Sequence, residues 1–353
     1  EAKRAPMLVQ AVELARQVRV TAVVPGLNPS TATLPNLTIH RFAVPTLPLS
    51  LLKPTRRADW GKIWQTLWAG EAAVHAATQS HPPDHIFALW AVPSGHWARK
   101  TGLPYSIWAL GSDIWGLGRV PLVRGVLRRV LQNAAHCFAD GYQLAADVGA
   151  ISGRECHFLP SSRRLPVIGK KQLATRPPYK LAFLGRWHPN KGVDLLLDAL
   201  HLLEDADWQR IAEVRIFGGG PLADGVTAGV ARLRGNGRPV TLGGYLNRQE
   251  AADLLIWADY LLLPSRIESI PVIFSDALQA NTPLIATPIG DLPRLLGDGG
   301  AGVLADGVTA GDLATAARRA LAAAPADFAD GLTGLRAQFD VGQTAVRLLE
   351  AIL

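Results

Sequence analysis

The amino-acid sequence predicts an α/β protein of two successive domains, each a doubly wound parallel sheet, the two facing a cleft. Three observations carry this expectation. Short β-branched or aromatic runs alternate with longer segments of helical period, the pattern of strand-helix-strand units. Those runs are near-continuously apolar, as strands covered on both faces require. The alternation also halts at a stretch rich in Pro, Arg and Lys near residues 159–178 and then restarts, so 353 residues divide into two cores of roughly 150 residues each.

In the first half, PMLVQAVELARQ (6–17) reads as a helix leading into the strand VRVTAVV (19–25). HIFALWAV (85–92), PYSIWAL (104–110) and AHCFAD (135–140) follow as strands. No strand or glycine loop stands ahead of the first helix, so an opening strand is expected to be missing from this sequence. The stretch containing PSSRRLP and ATRPP has no periodicity and reads as a linker. The second half then runs as strand KLAFLGR (180–186), helix GVDLLLDALHLL (192–203) and strand EVRIFG (213–218). Strand PVTLGG (239–244), helix RQEAADLLIWA (248–258) and strands DYLLLPS (259–265) and PLIATP (283–288) complete it. Val346, Leu349 and Ile352 keep helical spacing near the end. The expected division is a first domain over 1–165, a linker over 166–178, a second domain over 179–338, and a terminal helix over 339–353 that can return to the first domain.

Composition narrows the class. Apolar residues make up 48% of the chain, and no run of about 18 uninterrupted apolar residues or signal-like opening is present. Two cysteines, Cys137 and Cys156, provide neither a disulfide framework nor a CxxC cluster, which fits a reducing cytoplasm. A net charge of +7 suits a polyanionic partner such as nucleic acid, an anionic membrane or a phosphorylated substrate, and charge alone does not choose among them.

Chemistry is concentrated in the second half. Gly185-Arg186-Trp187-His188-Pro189-Asn190-Lys191-Gly192 follows a strand and opens a helix. At the carboxyl end of a parallel strand, beside a helix N-terminus, two cations can meet a diphosphate that backbone N–H groups also approach. Arg186 would bind phosphate oxygens as a fork and Lys191 as a point charge; a solvated turn at Pro189-Asn190 is the competing reading. Glu268 and Asp276 flank seven residues, Ser269 to Ser275. Ser269 can cap a helix with Pro271 in its first turn, leaving the acids to reach separate hydroxyls of one extended ligand. Gly218-Gly219-Gly220-Pro221 lacks GxGxxG spacing and reads as a tight turn that lets a ligand approach the backbone. In the first half, Ser94 and His96 follow one strand end and Gly111 and Asp113 another, making these four the acceptor or cleft candidates.

Taken together, these segments resemble the retaining GT-B glycosyltransferases of family 4, from roughly Trp90 to Leu296 and most strongly over 181–296. That family has a strand ending in GR and continuing to KG, a glycine-proline loop, a strand like VTLGGYL (240–246), an aspartate before a strand ending in PS, and a glutamate followed by a second acid. The resemblance implies two Rossmann-like domains and transfer of a sugar from a nucleotide-diphosphate-sugar donor to a glycan or lipid-linked acceptor. It assigns Arg186 and Lys191 to the diphosphate, Glu268 to a sugar hydroxyl and Asp276 to the ribose. Gly185, Gly219, Gly220, Ser269, Ile270 and Pro271 would line the donor, with Tyr245 and Leu246 bordering the base. No metal or other cofactor is implied, and retention would proceed by front-face attack, the leaving phosphate accepting the proton. The chain departs from the family in having Asp276 for glutamate and Leu110 for histidine before Gly111-Ser112-Asp113. A non-catalytic nucleotide-sugar-binding scaffold is the alternative; no motif supports a nucleic-acid partner.

Residues 118–132 place Arg119, Arg124, Arg128 and Arg129 among Val and Leu at helical intervals. Such a helix can lie on the inner face of an anionic cytoplasmic membrane. Packing of its apolar stripe against the sheet is the preferred expectation, because one apolar face serves only one of the two.

Overall fold

The computed structural model describes residues 6–116, 121–166, 171–297 and 300–353. The chain forms two compact units, residues 1–160 with 341–353, and residues 161–340.

In the first unit, helix Pro6–Leu14 precedes β1 (Val20–Gly26), β2 (Ser30–Leu34) and β3 (Leu37–Ala43). They pair in the order β1-β3-β2, with β1 parallel and β2 antiparallel to β3. A second sheet is all parallel, β4 (Ile86–Leu89), β5 (Tyr105–Ala109), β6 (Cys137–Ala139) and β7 (Cys156–Phe158) in chain order. The antiparallel β2 lies outside the expected pattern because STATL is mostly exposed and carries no apolar run. Helix Pro121–Asn133 buries Leu127, Val130 and Leu131 against Ile107 and Ala139, with Arg124, Arg128 and Arg129 exposed. Its apolar stripe thus packs on the sheet; Arg119 lies outside the described residues. Helix Val341–Ile352 joins this unit, where Ala345, Leu348 and Leu349 pack with Leu14, Trp108, Phe138 and Leu159.

The second unit holds one six-stranded sheet of β8 (Tyr179–Arg186), β9 (Ile211–Gly219), β10 (Val240–Gly243), β11 (Tyr260–Leu263), β12 (Leu284–Ala286) and β13 (Gly302–Leu304). Its order is β10-β9-β8-β11-β12-β13, and every adjacent pair is parallel. The chain winds outward from β8 to β10, then crosses back to lay β11 on the other side of β8. Winding reverses between β8 and β11, and in open α/β sheets the carboxyl ends at such a switch point splay apart and receive ligands. One face packs Leu181, Phe183, Val214, Ile216 and Leu262 against Val193, Leu196, Leu200, Val226, Val230 and Ala317. Phe274, Ala277 and Leu278 of helix Val272–Gln279 are also fully buried.

The units divide after Pro160, ahead of the expected boundary at 165. The backbone N–H of Leu165 donates to Gln279 Oε1 at 3.0 Å and Gln279 Nε2 to the Arg163 carbonyl at 2.6 Å, so residues 161–166 are tied to the second unit. The expected linker is anchored as well. Lys171 Nζ donates to the Ala258 carbonyl and to Thr282 Oγ1, the latter at 2.9 Å. Among the described residues no helix is long and apolar enough to cross a membrane.

Candidate functional site

The carboxyl end of β8 delivers the basic loop. Gly185 and Arg186 are its last two residues, opposite Gly218 and Gly219 of β9, and Arg186 is exposed. Pro189–Lys191 form a single 3-10 turn in which His188 Nδ1 accepts from the Asn190 N–H at 3.2 Å. The turn and the basic loop are therefore one structure, which presents Lys191 at the start of helix Val193–His201. Gly192 makes this possible: at φ 66° a Cβ would stand 1.8 Å from the Pro264 carbonyl oxygen just beyond β11, so only glycine lets the two strand ends approach this closely.

Glu268 arrives from the other side of the switch point, in the loop after β11. Lys191 Nζ and Glu268 Oε1 form an ion pair, with both side chains about a quarter exposed or less. Arg266, absent from the sequence reading, holds the two loops together. It chelates Asp194 at 2.8 and 2.9 Å and donates to the Pro189 carbonyl at 2.8 Å, and its backbone N–H donates to the Asn190 carbonyl at 2.8 Å. Behind Glu268, Gly290 at φ 53° passes so close that a Cβ would lie 2.3 Å from the Glu268 carbonyl oxygen and 2.2 Å from that of Ser269.

Two expectations for the segment after Glu268 change. Ser269 does not cap the helix; Pro271, in extended backbone, is the N-cap of Val272–Gln279 and supplies no side-chain cap. Ser269 Oγ is instead buried in the loop without a hydrogen-bond partner, as is Ser265 Oγ, and buried hydroxyls in that condition are available to a ligand. Asp276 is fully buried and clasped by Arg163, whose Nε lies 3.0 and 3.1 Å from the two carboxylate oxygens while Nη2 binds Oδ2. Burial pushes the Asp276 carboxyl up and the Arg163 hydrogen bonds oppose it. The expected ribose ligand is, in this structure, the anchor of the segment that enters the unit.

Along the other flank, the Tyr245 hydroxyl donates to the Gly219 carbonyl at 2.8 Å while the residue stays 72% exposed, so its ring stands over the glycine loop with one face open. A Cβ on Gly219 would come within 2.6 Å of that ring. Leu246, half-buried, follows it. Beneath, Trp187 is buried in the core, its N–H donating to the Gly219 carbonyl at 2.8 Å and its indole Nε1 without a partner.

Comparison with known proteins bears on the fold and on the second unit's sequence. Residues 178–323 match the family model for glycosyl transferases group 1. The matched segment contains all six strands of the second unit's sheet. Over 183 residues the chain is 30% identical to the D-inositol 3-phosphate glycosyltransferase of Mycolicibacterium vanbaalenii, covering 48% of this chain and 39% of that one. It is 27% identical over 234 residues to the glycosyltransferase TuaC of Bacillus subtilis, ascribed to teichuronic acid biosynthesis, covering 61% of this chain and 56% of that one. The match thus spans about half the length of these curated relatives, or less. Sucrose-phosphate synthase from Thermosynechococcus elongatus superimposes with a TM-score of 0.70 at 18% identity, covering 98% of this chain and 91% of that one. Anabaena HepE in complex with UDP gives a TM-score of 0.70 at 15% identity, covering 100% and 96%. These likenesses establish the GT-B fold of two Rossmann-like domains.

Outside the matched segment, the first-unit candidates sit at the carboxyl ends of neighbouring strands, Ser94 and His96 after β4 and Gly111 and Asp113 after β5. Asp113 is buried and joins the two loops: Oδ2 accepts from the Ala91 N–H at 2.7 Å and Oδ1 from the Leu110 N–H at 3.4 Å. Its carboxylate is therefore a brace between loops, and not the open contact expected of it. Burial raises its carboxyl, against four backbone hydrogen bonds. His96 keeps a buried, unpartnered Nδ1, and burial followed by the Lys100 and Arg99 charges lowers its imidazole. Gly111 is buried at φ 91° and Ser94 half-buried.

Proposed function

We propose that the protein is a glycosyltransferase that moves a sugar from a nucleoside diphosphate to a hydroxyl of a glycan or glycolipid acceptor, with retention of configuration and without a metal. The observation that carries the reading is the Lys191–Glu268 pair across the β8–β11 switch point. A nucleotide-sugar needs a cation for its β-phosphate and a hydrogen-bond acceptor for its sugar within one bond network of each other. The glycosidic oxygen joins phosphate to sugar, so a cation and an acceptor that already meet, as Lys191 and Glu268 do, support the reading that this junction is held between them.

In this reading Arg186 and Lys191 offset charge that builds on the diphosphate as the anomeric C–O bond breaks, stabilising the transition state more than the ground state. Glu268 turns from Lys191 to a sugar hydroxyl, and the N–H groups of Ser269 and Ile270 with the open hydroxyls of Ser265 and Ser269 line the donor. Tyr245 and Leu246 border the base and Gly185, Gly219 and Gly220 the phosphate. The acceptor hydroxyl attacks on the face from which the diphosphate departs, and a phosphate oxygen takes its proton.

HepE is described in complex with UDP and with UDP-glucose, which favours a uridine donor here as the first to assay. Release of nucleoside diphosphate from such donors should fall at least 100-fold in Lys191→Ala and Glu268→Gln and persist in EDTA. Asp276, engaged by Arg163, and Leu110 favour a second reading, a nucleotide-sugar-binding scaffold without turnover. Binding that survives with no donor consumption by the wild type would select it.

A further inference from the structure

Helix Trp60–Ser80 of the first unit carries Trp60, Trp64 and Trp68, exposed by 51%, 63% and 74%. Large aromatics exposed in a line are the feature of this surface that the fold itself does not use. The four-residue interval advances each indole by only about 40° around the helix, so the three form one stripe roughly 12 Å long. The far side of the helix is packed, with Ala69 and Ala73 against the Phe42, Val44 and Trp97 cluster and Gly70 beside the Trp97 ring, and Leu67 and Val74 extend that contact along one flank of the stripe. The stripe cannot turn inward without emptying that contact.

Charge is positive at the Trp60 end of the stripe, whereas Glu71, one turn beyond Trp68 on the same face and paired with Lys100 at 2.7 Å, stands at its other end. Between Val44 and Gly70 the sequence contains Lys53, Arg56, Arg57 and Lys62, and a single acid, Asp59. All four cations are exposed, whereas Asp59 is buried, accepting the Lys53 N–H at 3.0 Å and pairing with Arg56 at 3.3 Å. Trp60 Nε1 donates to the Pro54 carbonyl at 2.8 Å. These bonds fold the cationic loop against the first indole, so aromatic rings and positive charge share one end of the helix.

We propose that this face is an interfacial docking surface for an anionic lipid bilayer. Indoles sit at the boundary between acyl chains and headgroups, where the ring is apolar and the N–H still meets a polar partner. Flanking Lys and Arg side chains extend to anionic headgroups. A second copy of the chain is the poorer occupant, because a two-fold contact apposes the same patch on both subunits and would bring the cationic loop carrying Lys53, Arg56 and Arg57 against its own copy. Helix Pro121–Asn133 is not the contact, since its apolar stripe is buried in the sheet. The proposal does not depend on the donor-site reading, as the residues belong to different units, and vesicle binding is measured without any sugar donor.

The test is sedimentation of the full chain with phosphatidylcholine vesicles and with mixed phosphatidylcholine–phosphatidylglycerol vesicles. The wild type is expected to co-sediment with the mixed vesicles, to release as salt rises, and to shift its tryptophan emission to the blue. Trp64→Ser/Trp68→Ser should lower the partition coefficient at least tenfold with an unchanged melting temperature, and Lys53→Gln/Arg57→Gln should abolish the preference for anionic lipid. Bromolipid quenching of wild-type tryptophan emission reports insertion without any variant. The proposal is overturned if the wild type stays in the supernatant with the mixed vesicles, or if bromolipids quench nothing. It is also overturned if the serine variant binds vesicles as the wild type does while a wild-type dimer becomes monomeric, which would make the face a contact between copies.

Discussion

Replacing Arg163 by alanine should destabilise the second unit by about 3 kcal/mol at pH 8, and the penalty should shrink as the solution is acidified. Asp276 has a side-chain exposure of 1%, against 33% for Arg163. Truncating one partner of a buried pair costs roughly 3–5 kcal/mol, because the other charge is left without compensation. The partial exposure of Arg163 sets the expectation at the lower end. The unit spans 340 − 160 = 180 residues, for which each kcal/mol moves the melting point by about 2–4 °C, giving a fall of roughly 6–12 °C. The sign of the pH dependence follows from linkage. Burial already raises the Asp276 carboxyl in the folded state, and loss of the guanidinium raises it further. A folded state that holds the proton more tightly than the unfolded chain loses stability as pH rises through the folded pKa, so the deficit is largest at pH 8 and smaller toward pH 5. Scanning calorimetry across that range, with Arg163→Ala/Asp276→Asn as the charge-removed control, reads both effects. A melting point unchanged at every pH, or a deficit that grows on acidification, would refute the reasoning.

Gly192→Ala should cost at least about 2 kcal/mol by driving a Cβ into the Pro264 carbonyl at a left-handed backbone angle, and should weaken nucleotide binding by displacing Lys191. Gly225→Ala, in helix Ala223–Gly235 with nothing within 4 Å of the new methyl, should stabilise by about 0.5–1 kcal/mol; urea melts compare the pair. Burial lowers the Lys171 ammonium to about 8, so the unfolded chain binds its proton more tightly and the wild type should gain stability between pH 8 and about 10.4. Lys171→Met should flatten that rise in denaturation midpoints measured at each pH. Glu268→Gln should leave the melting point within about 2 °C of wild type while donor turnover collapses, because its side chain is only partly buried.

The strands at the switch point were legible because KLAFLGR and DYLLLPS are buried on both faces and so read as unbroken apolar runs. Lys191 and Glu268 could be selected because the loops after these two runs follow one another in the order and spacing of the resembled family, although neither residue stands out alone. Arg163 was not, since the contact joins residues 113 positions apart and nothing local marks it. Spacing suggested that Asp276 reaches outward; only burial shows a carboxylate turned into its own unit. Arg266 sits in plain view after Ser265, yet its value lies in reaching Asp194 across the switch point, which depends on strand order. Trp60, Trp64 and Trp68 pose the reverse case. Their spacing is visible in the sequence, but an aromatic stripe at helical period ordinarily faces a core, and here Gly70 and Val74 take that side.

The central claim is that the carboxyl ends of β8 and β11 form a nucleoside-diphosphate site. Isothermal titration of the intact protein with UDP, GDP and ADP tests it most directly: one of them should bind at a single site, with affinity at least tenfold weaker in Lys191→Ala and in Arg186→Ala. Absence of binding by all three, or binding that both variants leave unchanged, would contradict it.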